Sequence, residues 1–121
     1  MFSNTLYVRV SRNSLRVKHI ESGKSLVVTP TEPFSTPRLL VGQFAVAQLA
    51  LRKAVKELVG GGLVAVAPAI VMQPLEMIDG GLSDVEERIM RELAVGAGAR
   101  KVAVWVGHEL SDAEVKEKAR R

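Results

Sequence analysis

Residues 5–20 read TLYVRVSRNSLRVKHI, and this stretch decides the fold. Leu6, Val8 and Val10 alternate with Tyr7 and Arg9. Leu15, Val17 and His19 then alternate with Arg16, Lys18 and Ile20. Such alternation belongs to a strand that buries one face. Ser11-Arg12-Asn13, between the two runs, is turn chemistry, so the stretch predicts an antiparallel hairpin. Glu21-Ser22-Gly23-Lys24 supplies a second turn, and SLVVT at 25–29 a third short strand. A meander over 5–29 therefore opens the chain.

Beyond the meander, residues 30–38 hold three of the five prolines and predict a loop. Thr36 followed by Pro37 suits an N-cap and a first helical position. Leu40, Phe44, Ala47, Leu51, Val55 and Leu58 then recur at helical spacing, which predicts a helix over 37–59 stopped by Gly60-Gly61-Gly62. The apolar run LVAVA at 63–67 predicts a strand buried on both faces and ended by Pro68. Residues 69–81 fit either a loop with a short strand or a single helical turn. Ser83 and Glu86 form a capping-box pattern that opens a helix over 83–95, and Gly96-Ala97-Gly98 ends it. KVAVWV at 101–106 predicts the last strand. Ser111 and Glu114 repeat the capping box at the start of a terminal helix over 111–121. The expected fold is α/β, in the order β-β-β-α-β-α-β with a terminal helix. Its sheet is mixed and five-stranded, in the order 3-2-1-4-5, with helices packed on it. Helical crossovers would set both later strands parallel to the first.

Composition narrows the function classes. The chain has 121 residues, 47% hydrophobic and 25% charged, which suits one globular domain over 1–121. It lacks cysteine, so disulfides, thiolate zinc sites and cysteine nucleophiles are excluded. His19 and His108 are the only histidines, too few for a histidine-rich metal centre. MFSNTLYVRV lacks the pattern of a signal peptide, and the weakly charged stretch from Leu58 to Gln73 is too short and too broken to span a bilayer. A cytoplasmic location is expected. The formal net charge is +4, unevenly spread. Residues 1–60 carry nine Lys/Arg against three Asp/Glu, and residues 61–121 carry eight against ten. A basic half either draws polyanions and acidic partners or forms a solvated face.

The predicted element order is that of ribonuclease-H-like and actin-like domains, and the residues resemble the bacterial actin homologue family MreB. Asp84-Val85-Glu86-Glu87-Arg88 through Gly96-Ala97-Gly98-Ala99-Arg100-Lys101-Val102 is similar to that family's VERRA…GAGAREV segment. Ala67-Pro68 resembles its VP at the end of the preceding strand. Arg9-Val10-Ser11-Arg12-Asn13-Ser14-Leu15 occupies the place of its phosphate-binding hairpin, roughly DLGTANTLVYV. The likeness covers most of this chain but only the family's first subdomain. It implies a cell-shape, cytoskeletal context. Departures from the family pattern bear on activity. Arg9 stands where the family's first-strand aspartate helps to place magnesium and water. Ser11 and Arg12 replace the glycine side of the hairpin, and Val106-Gly107-His108 replaces acidic residues after the last strand. The family's second phosphate loop is missing from the sequence.

Other chemistries find little support. A ribonuclease-H-type nuclease needs carboxylates converging on metal ions, the first from strand one, yet no Asp or Glu precedes Glu21. There is no Gly-x-Ser-x-Gly elbow, and the glycines at 60–62 are not followed by Gly-Lys-Ser/Thr. No enzymatic activity and no cofactor are expected. Arg9, Arg12, Arg16 and Lys18 on the hairpin are the candidate site for an anion or acidic partner, or else an exposed polar sheet edge. Nucleic acid is a weaker expectation, since Tyr7 is the only aromatic in the hairpin. Met72, Leu75, Met77 and Ile78 are candidates for an adaptable partner contact, or for core packing. The expected function is thus a non-catalytic interaction module that binds a protein, a cytoskeletal filament or itself. The alternative is polyanion or nucleic-acid binding through the hairpin.

Overall fold

The computed structural model describes residues 3–60 and 66–121. β1 (Thr5–Ser11), β2 (Ser14–His19) and β3 (Ser25–Val28) form the meander. They are followed by α1 (Phe44–Val59), β4 (Ala69–Pro74), α2 (Asp84–Gly96), β5 (Lys101–Val104) and α3 (Asp112–Arg120). The five strands form one mixed sheet in the order β3-β2-β1-β4-β5, as the hydrophobic pattern predicts. β2 runs antiparallel to β1 and β3, whereas β4 runs parallel to β1 and β5 parallel to β4.

Alternation along the strands builds two unequal cores. Leu6, Val8 and Val10 of β1, Leu15 and Val17 of β2, and Ile70 and Met72 of β4 point to one face. There they meet Ala47, Ala50, Leu51 and Ala54 of α1 and Met90, Leu93 and Ala94 of α2. The opposite face carries a smaller cluster of Tyr7, Ile20, Val71, Leu110 and Val115, which α3 covers. The Ser83 and Ser111 side chains accept from the amides of Glu86 and Glu114, and each glutamate reaches back to the cap amide, so both capping boxes are present.

Three boundaries differ from the sequence expectation. α1 starts at Phe44, not near Pro37. The Thr36 amide donates to the Leu39 carbonyl at 2.8 Å, and its hydroxyl accepts from the Leu39 amide at 2.9 Å. Buried Phe34 anchors this loop, and its carbonyl takes the amides of Gly42 and Gln43, both at 2.8 Å. Local bonds of this kind compete with helix initiation. The strand expected at 63–67 lies mostly outside the described residues, and the central strand is Ala69–Pro74, all six residues of it buried. Residues 69–74 therefore do not form a helical turn. Pro68 precedes this strand, and its carbonyl accepts from the Arg100 amide at 2.8 Å. At the last boundary, β5 ends at Val104, two residues before the expected end.

The hairpin turn is tied down at its tip. Asn13 adopts φ 55°, a left-handed conformation that asparagine tolerates better than most residues. Its amide donates to Ser35 Oγ at 3.0 Å and its Oδ1 accepts from the Ser35 amide at 2.7 Å. The meander and the loop before α1 are thereby held as one unit beside the C-terminal ends of β1 and β4.

Candidate functional site

The four hairpin cations do not converge. The pairing of Arg9 with Arg16 and of Tyr7 with Lys18 puts Arg9, Arg16 and Lys18 on the face that α3 partly covers. Arg9 is largely buried there, its guanidinium 5.1 Å from the Tyr7 ring centre and 3.1 Å from Glu109 Oε1. Lys18 meets Asp112 at 2.9 Å. Arg12 leaves this group. At the hairpin tip its guanidinium donates to the Thr36 carbonyl at 3.1 Å and touches Met77 Sδ at 3.7 Å. The expected four-residue anion site is therefore corrected to a group of three, two of which already hold a carboxylate.

The expected partner contact also divides. Met72 is fully buried in the main core, because it lies on the helix-covered face of the central strand, and it cannot touch a partner. Beyond β4, Leu75 is exposed and Met77 and Ile78 are half-buried, Met77 against the edge of the main core. Met77 lines a groove of about 240 Å³ at the C-terminal end of the parallel strands. Leu39, Leu40 and Phe44 form one wall, and Leu82, Val85 and Ile89 the other. Of the lining residues, Leu39 and Val85 are exposed, Val85 to 71%, so the apolar surface continues onto the rim. Sequence reasoning missed Leu39, Leu82 and Val85. The signal was there in Val85, an apolar residue in the first turn of a capped helix where charge is usual.

The rim of the groove is acidic. Glu76 and Glu86 line it, and the first turn of α2 carries Asp84, Glu86 and Glu87. Glu76 accepts from the Arg12 amide at 2.6 Å, which fixes the hairpin tip against the groove wall.

Behind Arg9, a buried polar network fixes the loop between β5 and α3. The Tyr7 hydroxyl donates to Gln73 Oε1 and accepts from the Leu110 amide at 3.1 Å. Gln73 Nε2 donates to the Gly107 carbonyl at 2.8 Å. His108 is exposed and lies 3.2 Å from Glu114. His19 is buried, with Nε2 2.7 Å from Asn4 Oδ1 and Nδ1 2.7 Å from Ser22 Oγ, so both ring nitrogens have partners. Beside it, burial works to raise the Glu21 carboxyl. Hydrogen bonds from the Thr5 hydroxyl and amide and from its own amide, together with the charge of Lys116, outweigh burial and leave its pKa below the ordinary value. Among the described residues, no group of three or more His, Asp or Glu side chains is placed to hold a metal ion, and no helix is long and apolar enough to cross a membrane.

No protein-family model matches the chain. It is 38% identical over 103 residues to a protein of Escherichia coli (strain K12) named "Uncharacterized protein YjaA", an alignment spanning 81% of this chain and 80% of that protein.

Proposed function

We propose, for a chain that belongs to the family of the Escherichia coli protein YjaA, that it is a non-catalytic protein-interaction module that docks its partner in the apolar groove. The observation that carries this reading is the continuous apolar surface from Leu39 through Met77 to Val85, enclosed between α1, the end of β4 and α2. Apolar surface rimmed by polar residues is the kind of feature that marks a protein contact. The partner that suits it presents bulky apolar side chains flanked by positive charge, complementary to Glu76, Glu86 and the acidic first turn of α2.

The sheet order supports reading the chain as an actin-like subdomain, and the resemblance to MreB suggests a cytoskeletal filament as the partner. In that comparison the groove lies beside the hairpin that would hold phosphates, and Arg9 replaces the acid that magnesium chemistry requires. The alternative, a polyanion gripped by the hairpin, is less well supported because Arg9 and Lys18 already hold carboxylates and Arg12 points elsewhere.

The test is capture from nuclease-treated native extract by the wild-type chain and by Val85→Lys, a change on an exposed helix position. A protein retained by the wild type and lost by the variant supports the groove. Identical captures refute it. Tight binding of Mg-ATP by calorimetry would overturn the non-catalytic reading.

A further inference from the structure

The open half of the other sheet face carries a second surface. α3 packs on β1, β4 and β5 and reaches β2 through Asp112 on Lys18, leaving β3 and the outer half of β2 uncovered. Register places Arg9 opposite Arg16 and Arg16 opposite Val27, with Lys18 beside them, so three cations and an exposed valine share this area. Like charges set opposite each other across strands are unfavourable unless solvent or an anion intervenes. The chain supplies carboxylates to the two outer cations, from Glu109 and Asp112. Those carboxylates are themselves 75% and 55% exposed and sit where the last loop enters α3. Arg16, between the two pairs, has no carboxylate within ion-pair distance among the described residues, and Arg9 Nε is buried without a partner. β3 alongside is an edge strand, paired with β2 alone, and Val27 on it is 62% exposed.

We propose that this face docks an extended acidic segment of a partner protein on Arg16 and Lys18, with Asp112 as the built-in competitor for Lys18. The segment adds to the edge of β3 through backbone hydrogen bonds, which orders an extended peptide and does nothing for a nucleic acid. Neighbouring strands lie about 4.8 Å apart, so a glutamate on the added strand meets Arg16 across the Val27 side chain. Among the described residues, the only aromatic beside the cations is Tyr7, which is buried and offers no stacking platform. Displacing Asp112 exchanges one ion pair for another, so the first turn of α3 regulates access to Lys18 without a change of fold. The inference concerns a surface on the opposite side of the sheet from the apolar groove, and either site can fail without the other.

The experiment is fluorescence anisotropy of a labelled peptide of alternating Glu and Val, titrated with the full chain. Arg16→Ala removes an exposed side chain and is expected to weaken binding about fivefold, the scale of one exposed ion pair. Asp112→Asn is expected to tighten binding about fivefold by removing the competitor for Lys18. Hydrogen exchange is expected to slow at the outward amides of β3 when peptide is present. Equal binding by Arg16→Ala, no gain in Asp112→Asn, unchanged β3 amides, or tighter binding of a single-stranded oligonucleotide of equal charge would each overturn the proposal.

Discussion

The hydroxyl of Tyr7 reaches diagonally from β1 to the side-chain carbonyl of Gln73 on β4, and both residues are nearly inaccessible to solvent. The same oxygen accepts from the Leu110 amide, so one phenol links the sheet centre to the loop that carries Glu109 and leads into α3. Tyr7→Phe keeps the ring and removes the oxygen. It leaves the Leu110 amide and the Gln73 carbonyl without their partner in a buried site. The expected cost is about 2 kcal/mol in urea unfolding, the range for an orphaned buried polar group. A loss below about 0.5 kcal/mol, the scale of an ordinary surface change, would show that water replaces the phenol.

The two methionines around β4 separate stability from binding. Met72 is fully buried between the strands and the helices, and Met72→Ala is expected to cost about 2–5 kcal/mol, the range for large-to-small core changes. Met77 sits on the groove wall, half-buried against the edge of the main core, so Met77→Ala is expected to cost less than Met72→Ala, about 1 kcal/mol, while weakening capture of the groove's partner. Comparable destabilisation by both substitutions would place Met77 in the core and weaken the case for the groove.

Much of this architecture is legible in the sequence, and the gaps have physical causes. The β1–β2 hairpin is readable because each strand buries one face, so polarity alternates residue by residue. β4 hides because it is central and wholly buried. No alternation survives there, and Met72, Gln73 and Pro74 are weak strand signals, so the neighbouring LVAVA run competes for the assignment. The late start of α1 follows from the local bonds at Thr36 and Phe34, and the loop they form is held to the hairpin by Asn13 and Ser35 across 22 residues, a contact no local window contains. For the site, the alternation correctly sets Arg9 opposite Arg16. It cannot show that a short charged terminal helix folds back over Tyr7, bringing Glu109 to Arg9 and Asp112 to Lys18. The groove is equally non-local, since its two walls are separated by α1 and β4.

α3 is nine residues long, too short to be stable alone, and relies on its cap and on buried Val115. Ser111→Ala removes the oxygen that accepts from the Glu114 amide at 3.2 Å. The expected cost is about 1 kcal/mol, typical of a lost N-cap. Hydrogen exchange should quicken first across residues 112–120 and at the Leu110 amide, ahead of the central strands. Uniform acceleration over the whole chain would mean that α3 unfolds only with the sheet and that the smaller core is not a separate unit of stability.

Glu21 is a partly buried carboxylate that links stability to pH in the acid range. Its Oε1 accepts from the Thr5 amide at 2.8 Å and its Oε2 from the Thr5 hydroxyl at 2.7 Å, and Lys116 approaches to 3.7 Å. These contacts favour the ionised form, so the folded state binds the proton more weakly than the unfolded chain does. The stabilisation is then complete above the unfolded carboxylate value, about pH 4.3, and is lost as pH falls through the lower folded value. Stability measured against pH should therefore fall less steeply below about pH 4.3 in Glu21→Gln than in the wild type, with the two curves separated at neutral pH. The neutral amide keeps one acceptor for Thr5 and loses the charge that Lys116 meets. Parallel curves throughout the acid range would show that the Glu21 proton is not linked to folding and that other carboxylates, such as the capping Glu114, set the acid limit.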